Sequence, residues 1–393
     1  MRSPFSPERR RFLKCSALAG AALILPGLLA ACATSRRAVA RPAGEWLEWP
    51  LERRIAQMLM LGFTGETAPE DSPVAVAIRD YGIGGVVLFD NNSDLQVTNR
   101  NITGPAQLKS LTRRLNSYAN IPLLISVDQE GGIVTRLKER YGFPPSLSAG
   151  YLGNKDDLEL TRSHSEEMAS TLKEFGFTLN LAPVVDLNSN PVNPIIALKE
   201  RSFSADAERV AAHAAEFVKG HRSRGIATCL KHFPGHGSSR DDSHLGLVDV
   251  TAYWNRDELI PYRRLIQQGL CDMVMTAHTF NSRLDGDYPA TLSRATIDGI
   301  LRGELGFDGV VLSDDLNMAA IVNHYSYETA VEKAINAGVD ILVVANDKLY
   351  DPYTAPRTIE MLMKMVETGR MDEKRINQAC ARIMALKARY LYG

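Results

Sequence analysis

Asp308-Gly309-Val310-Val311-Leu312-Ser313-Asp314-Asp315 is a short apolar run that starts on a glycine and stops on two carboxylates. It has no polar face, so it suits a strand buried on both sides, as in a parallel sheet. The same pattern occurs seven more times. Apolar runs stand at 57–62, 83–89, 121–127, 179–185, 226–230, 272–277 and 339–345, with 308–313 seventh in chain order. The segments between them carry apolar residues at helical spacing: Leu108, Leu111 and Leu115; Met168, Leu172 and Phe175; Val210, Ala214, Phe217 and Val218; Ala330, Ala334 and Ile335. Strand–helix alternation repeated eight times predicts an α/β fold, a (β/α)8 TIM barrel forming a single catalytic domain. Residues 372–391 read as a closing helix. A doubly wound sheet has the same alternation, and periodicity does not separate the two.

The residues that follow the runs are polar. Asp128 and Glu130 follow the third, Asp186 and Asn188 the fourth, and Lys231 and His232 the fifth. His278 follows the sixth, Asp314 and Asp315 the seventh, and Asn346 and Asp347 the eighth. Barrel enzymes place their chemistry at the carboxyl ends of strands. A polar ring drawn from six strands is hard to explain as packing.

The chain has 393 residues, of which 45% are hydrophobic and 23% charged, an ordinary globular composition with length for a large core. Charge is uneven. Arg2, Arg9, Arg10, Arg11 and Lys14 stand against Glu8 near the start, so a formal total of −1 leaves the remainder acidic. An acidic body gives no reason to expect a nucleic-acid partner. The basic start and the apolar run Cys15–Ala31 read as an export signal, residues 1–31. Arg-Arg-x-Phe-Leu-Lys from Arg9 resembles a twin-arginine signal, with Glu8 in place of the usual Ser or Thr. Leu29-Ala30-Ala31-Cys32 resembles a lipobox, which implies cleavage before Cys32 and acylation of its thiol; an uncleaved anchor helix is the alternative. Residues 32–48 then form a lipidated cysteine and tether, its aperiodic part about 40 Å when stretched, and 49–393 the barrel domain. Ala33 rather than Asp after the cysteine points to the periplasmic face of the outer membrane in a diderm cell. Three cysteines remain, Cys229, Cys271 and Cys380, an odd number that argues against a disulfide framework. With His232 and His278 level on neighbouring strands, Cys229 and Cys271 are offset by four residues, roughly 13 Å, too far for a bridge.

Lys231-His232-Phe233-Pro234-Gly235-His236-Gly237, continuing to Asp242-Ser243-His244, reads as a loop rich in Pro and Gly. Its three histidines and Asp242 are metal-ligand types. A metal-dependent barrel hydrolase would also need a His-x-His pair after the first run, where Met60-Leu61-Gly62-Phe63 stands. No metal and no cofactor is therefore expected.

The stretch closely resembles the signature of glycoside hydrolase family 3, in its β-N-acetylglucosaminidase branch. The resemblance implies that Asp242 and His244 form an Asp–His dyad in which His244 protonates the leaving oxygen and Asp242 orients it. Histidine suits that task because its ordinary pKa lies near working pH. Gly306 to Asp315, continuing through Leu316, matches a second motif, and the resemblance puts the nucleophile on Asp314. Asp315 is expected to be a buried support on the opposite side, so that Asp315→Asn lowers stability more than chemistry. Val127-Asp128-Gln129-Glu130-Gly131-Gly132 and Arg136 match a third, which implies that Asp128 and Arg136 grip sugar hydroxyls. Ile133 occupies a position where the family usually has Arg, and Glu130 reads equally as a salt-bridged core residue. Asn180 to Asn188, with Arg201, matches a fourth and gives Arg201 a sugar-binding role, after a spacer, Ala197-Leu198-Lys199-Glu200, longer than usual. Lys231 and His232 join the substrate-binding set.

The likeness covers about 52–390 and leaves no room for a second α/β domain. It implies an exo-acting retaining β-N-acetylglucosaminidase whose carbohydrate partner is a peptidoglycan fragment ending in GlcNAc. A phosphorylase using the same site is one alternative, since an imidazole tolerates an incoming phosphate better than a carboxylate does. A non-catalytic wall-binding lipoprotein is another.

Overall fold

The computed structural model describes residues 45–91, 99–346 and 350–392. The leader, the Cys32 lipobox, the tether to residue 44 and Asp347 lie outside the described residues. The eight apolar runs become eight parallel strands: β1 Leu59–Gly62, β2 Gly85–Leu88, β3 Leu124–Val127, β4 Leu179–Asn180, β5 Ala227–Phe233, β6 Met273–Thr276, β7 Val310–Leu312 and β8 Leu342–Val344. Each pairs with its chain neighbours, β1 pairs with β8, and a parallel bridge, Leu312 to Ile341, joins β7 to β8. The sheet therefore closes on itself, which decides for a barrel over a doubly wound sheet. A helix follows every strand, among them Pro105–Tyr118, Leu158–Glu174, Ala207–Ser223 and Tyr327–Ala337. Their starts are written in the sequence: Asp157, Asp206 and Ser326 each accept a backbone N–H from the first turn, a cap whose loss costs about 1 kcal/mol. The apolar positions of these helices face the sheet and are buried. The closing helix spans Glu373–Tyr390.

Two details depart from expectation, and both bear on the site. β5 runs three residues past Leu230, so Lys231 and His232 sit on the strand end, not in a loop. Its pairing with β6 also slips: Leu230 is opposite Val274 but Phe233 is opposite Thr276. His232 and His278 are thus not level, and Cys229 is opposite Met273. The expected four-residue offset of Cys229 and Cys271 becomes two, or roughly 7 Å. Cys229, Cys271 and Cys380 are nonetheless all free thiols. β4, by contrast, is cut short. Pro183 has no N–H for the ladder, and pairing with β5 resumes only at Val184 opposite Lys231.

Candidate active site

A cavity of about 340 Å³ opens at the carboxyl ends of the strands. Asp128, Glu130, Arg136, Arg201, Lys231, His232, His244, Asp314 and Asp315 all line it. Asp242 joins them through His244, whose Nδ1 lies 2.7 Å from Asp242 Oδ1. The structure thus brings every residue singled out by the motifs to one place.

The floor is an ion-pair lattice. Lys231, at the end of β5, is buried and reaches Asp128 at 2.7 Å and Glu130 at 2.6 Å. Glu130 is gripped bidentately by Arg201, with Nε to Oε2 2.7 Å and Nη2 to Oε1 2.8 Å. Of the two readings of Glu130, the structure shows the salt-bridged one. Burial alone would raise these carboxyls; the facing cations Lys231 and Arg136 hold Asp128, and Arg201 and Lys231 hold Glu130, below the ordinary range. Such buried pairs are costly to break singly, by about 3–5 kcal/mol. Arg136 sits 3.5 Å from Asp128 and over the Phe89 ring. Asp128 therefore presents a fixed, ionised acceptor beside two cationic donors.

His232 is held by a second lattice. Its Nδ1 lies 2.6 Å from Asp186 Oδ2, and its Nε2 faces Arg201 Nη2 at 3.2 Å. Arginine only donates, so Nε2 accepts and Nδ1–H donates to Asp186. Asp186 also accepts the backbone N–H of His236 at 2.8 Å.

Asp314 and Asp315 stand just past β7. Burial pushes the Asp314 carboxyl upward, but the imidazoles of His278, His232 and His244 and the Asp315 N–H outweigh it, and the group lies below the ordinary carboxylate range. Asp315 goes the other way. Burial and the Asp314 charge lift it to about 6 against the N–H groups of Ala345 and Asn317, which its Oδ1 accepts at 2.8 and 3.1 Å. One carboxyl is kept ionised and the other ties β7 to β8.

This geometry refines the expectation for Asp315. Both accepted bonds fall on one oxygen, which an asparagine amide could supply without a charge. Asp315→Ala should lower stability by about 2 kcal/mol or more, because it orphans two backbone donors; Asp315→Asn should be far milder. A raised folded pKa contributes stability that is fully present below about pH 4 and lost as pH rises through about 6. Denaturant titrations at pH 4 and 8 should show wild type losing up to about 3 kcal/mol more than Asp315→Asn over that range. Parallel curves would remove the assignment.

The loop after β5 carries the Asp242–His244 pair at the rim. The His244 side chain is 58% exposed. Burial raises Asp242, but its bonds to the His244 ring and N–H, helped by Lys199, draw it down to about 2. Gly237 lets this loop pass close to the segment that follows β4: a Cβ there would sit 1.6 Å from the Leu187 carbonyl oxygen.

Several polar residues around the cavity were not read as site residues. His278 lay in the polar ring but in none of the quoted motifs; its Nε2 donates to the Asp315 carbonyl at 2.9 Å. Glu258 sits under the loop, accepts the Ser238 N–H at 3.1 Å, and is lifted to about 8 by burial and by the charge of Asp186. No local signal marks it, since its role depends on what packs above it. Among the described residues, no group of three or more His, Cys, Asp or Glu could hold a metal ion.

A closed parallel barrel with an acid-rich cavity at its carboxyl end is the build of a barrel hydrolase. Residues 50–386 match the Glycosyl hydrolase family 3 N terminal domain. A Beta-hexosaminidase of Xylella fastidiosa is 38% identical over 299 residues, 74% of this chain and 84% of its own length. Beta-hexosaminidase A of Pseudoalteromonas piscicida is 34% identical over 341 residues, 79% of this chain, and this chain spans 54% of that protein. The solved structure of a glycoside hydrolase family 3 beta-N-acetylglucosaminidase from Paenibacillus sp. superposes with a TM-score of 0.79 at 37% identity, over 88% of this chain and 63% of that one. The chain belongs to glycosyl hydrolase family 3, in the branch of those β-N-acetylglucosaminidases.

Proposed function

We propose that the protein is an exo-acting, retaining β-N-acetylglucosaminidase that removes terminal β-linked GlcNAc from peptidoglycan fragments. One observation carries this reading: an ionised carboxylate, Asp314, and a carboxylate–imidazole pair, Asp242–His244, border one cavity that also holds a fixed hydroxyl grip. Asp128 accepts from sugar hydroxyls, while Lys231 and Arg136 donate. Asp314 attacks the anomeric carbon and forms a glycosyl ester as the bond to the leaving oxygen breaks. That oxygen takes the proton from His244 Nε2, since Nδ1 is committed to Asp242. A water then gives its proton to Nε2, attacks the same carbon and releases Asp314. Two inversions retain the configuration.

The test is turnover by the chain from residue 33 on chromogenic β-GlcNAc, β-glucose and β-GalNAc. The expected result is a clear preference for β-GlcNAc and free GlcNAc as product in phosphate and non-phosphate buffers alike. Sugar phosphate appearing in the phosphate buffer would replace hydrolysis by phosphorolysis.

The wall as substrate source rests on export. We infer that the precursor is cut before Cys32 and acylated there, on the strength of Leu29-Ala30-Ala31-Cys32 behind a basic, apolar leader. Cys32→Ser should release the protein from membranes while kcat/KM of the purified enzyme stays within about twofold. Mass spectrometry showing an unmodified Cys32 on the mature protein would end this inference.

A further inference from the structure

Within the loop after β5, the stretch 240–245 that bears Asp242 and His244 is solvent-facing except at one residue. Arg240, Asp241, His244 and Leu245 are exposed and Asp242 is partly so, but Ser243 between the two dyad residues is 2% exposed. Its Oγ lies 3.1 Å from Nε2 of His236, itself buried. On the other side of the ring, His236 Nδ1 lies 2.7 Å from Ser239 Oγ. Burial, foremost, pulls the His236 ring down to about 4, so it is neutral at working pH and carries one N–H. Each ring nitrogen is thus hydrogen-bonded to one serine hydroxyl, Nδ1 to Ser239 and Nε2 to Ser243. His236 is in turn immobile: its N–H donates to Asp186 at 2.8 Å, and Asn193 Nδ2 binds the carbonyls of His236 and Gly237 at 2.9 and 3.0 Å.

We propose that Ser243 and His236 are positioning residues, a latch that docks the loop so that its dyad is held over the cavity. The inference rests on His244 being the proton carrier. An exposed loop of small and charged residues has little apolar area to hold it down, so one buried hydrogen bond weighs heavily on its population of docked states. Neither latch residue moves a proton to substrate; each sets how often His244 is in place to do so.

The leaving group gives a readout that a merely structural role would not move. kcat/KM reports the first displacement, which needs the acid only when the leaving group is poor. Ser243→Ala should lose about tenfold on the poorest aryl β-GlcNAc leaving group, the scale of a lost buried hydrogen bond, and less than about twofold on the most activated. A uniform loss across the series, or none, would overturn the latch. The second variant is His236→Asn, alone and combined with Ser243→Ala. If the two residues act as one unit, the double variant's leaving-group sensitivity equals that of Ser243→Ala; additive sensitivities would overturn the pairing. Should His236→Asn fail to fold in a thermal melt, the Ser243→Ala series decides alone. Trapping of a glycosyl adduct in wild type separates the two levels: an adduct with a flat Ser243→Ala series sinks the latch only. A wild type that fails to hydrolyse β-GlcNAc sinks the reading beneath it, and the latch with it.

Discussion

Asp314→Ala and Asp314→Asn should abolish turnover, with kcat down at least about 10⁴-fold, the loss seen when a unit-acting nucleophile is removed. The effect is large because no neighbour can substitute. Asp315 is tied by its Oδ1 to the N–H groups of Ala345 and Asn317. Glu130 is locked in a bidentate pair with Arg201. Asp128 is bound by Lys231 and Arg136. Asp314 accepts the Asp315 backbone N–H on one oxygen and faces three imidazoles that favour its ionised form. A carboxyl held below the ordinary range stays nucleophilic into mild acid, so its limb of the kcat/KM profile should lie below the usual carboxylate pKa. A fluorinated GlcNAc analogue that slows the second displacement should leave a sugar ester on Asp314, read by peptide mass spectrometry. A label on Asp315 or Glu130, or an inverted product, would refute the assignment. Retention without any enzyme-bound sugar would instead indicate participation by the substrate's own N-acetyl group.

What the sequence disclosed and what it hid follow from how far each interaction reaches along the chain. The strands were visible because each is a local apolar run, and 308–313 contains the observed Val310–Leu312. Closure of the barrel was not, since it depends on Leu312 meeting Ile341 and on β1 meeting β8 across most of the chain. The strand register was misjudged for a related reason. The slip between Leu230 and Phe233 leaves no mark on residue types, so equating His232 with His278 displaced the cysteines by two positions. The motif residues converge, as their places after the apolar runs suggested, whereas their pairing was hidden. Arg201 and Glu130 are 71 positions apart, and nothing in either segment announces the other. His236 and Ser243 lay inside the quoted stretch, yet burial of one serine in an exposed loop is a property of the fold.

His244→Ala should split substrates by leaving group. On glycosides with poor leaving groups kcat/KM should fall by about 10²–10⁴-fold, the range for loss of a positioned general acid, while an activated aryl β-GlcNAc loses far less in the same parameter. Asp242→Ala should show the same pattern more weakly. Asp242 holds Nδ1 at 2.7 Å and so fixes which nitrogen carries the transferable proton, but it does not touch the leaving oxygen. Its own carboxyl, drawn down to about 2, stays ionised through the working range, so the pair should not lose its orienting bond as pH falls through the usual carboxylate range. Added chelator should leave both activities unchanged; a chelator-sensitive enzyme would mean that the three histidines of 232–244 hold a metal after all. Equal losses on both kinds of substrate would make His244 a sugar-binding or structural residue, and the acid would then have to be sought elsewhere, where His278, buried behind Asp315, is held by Thr291 and the Asp315 carbonyl and His232, in the cavity, by Asp186 and Arg201. Both of those rings have each nitrogen held in a hydrogen bond, so neither could protonate a leaving oxygen without first breaking one.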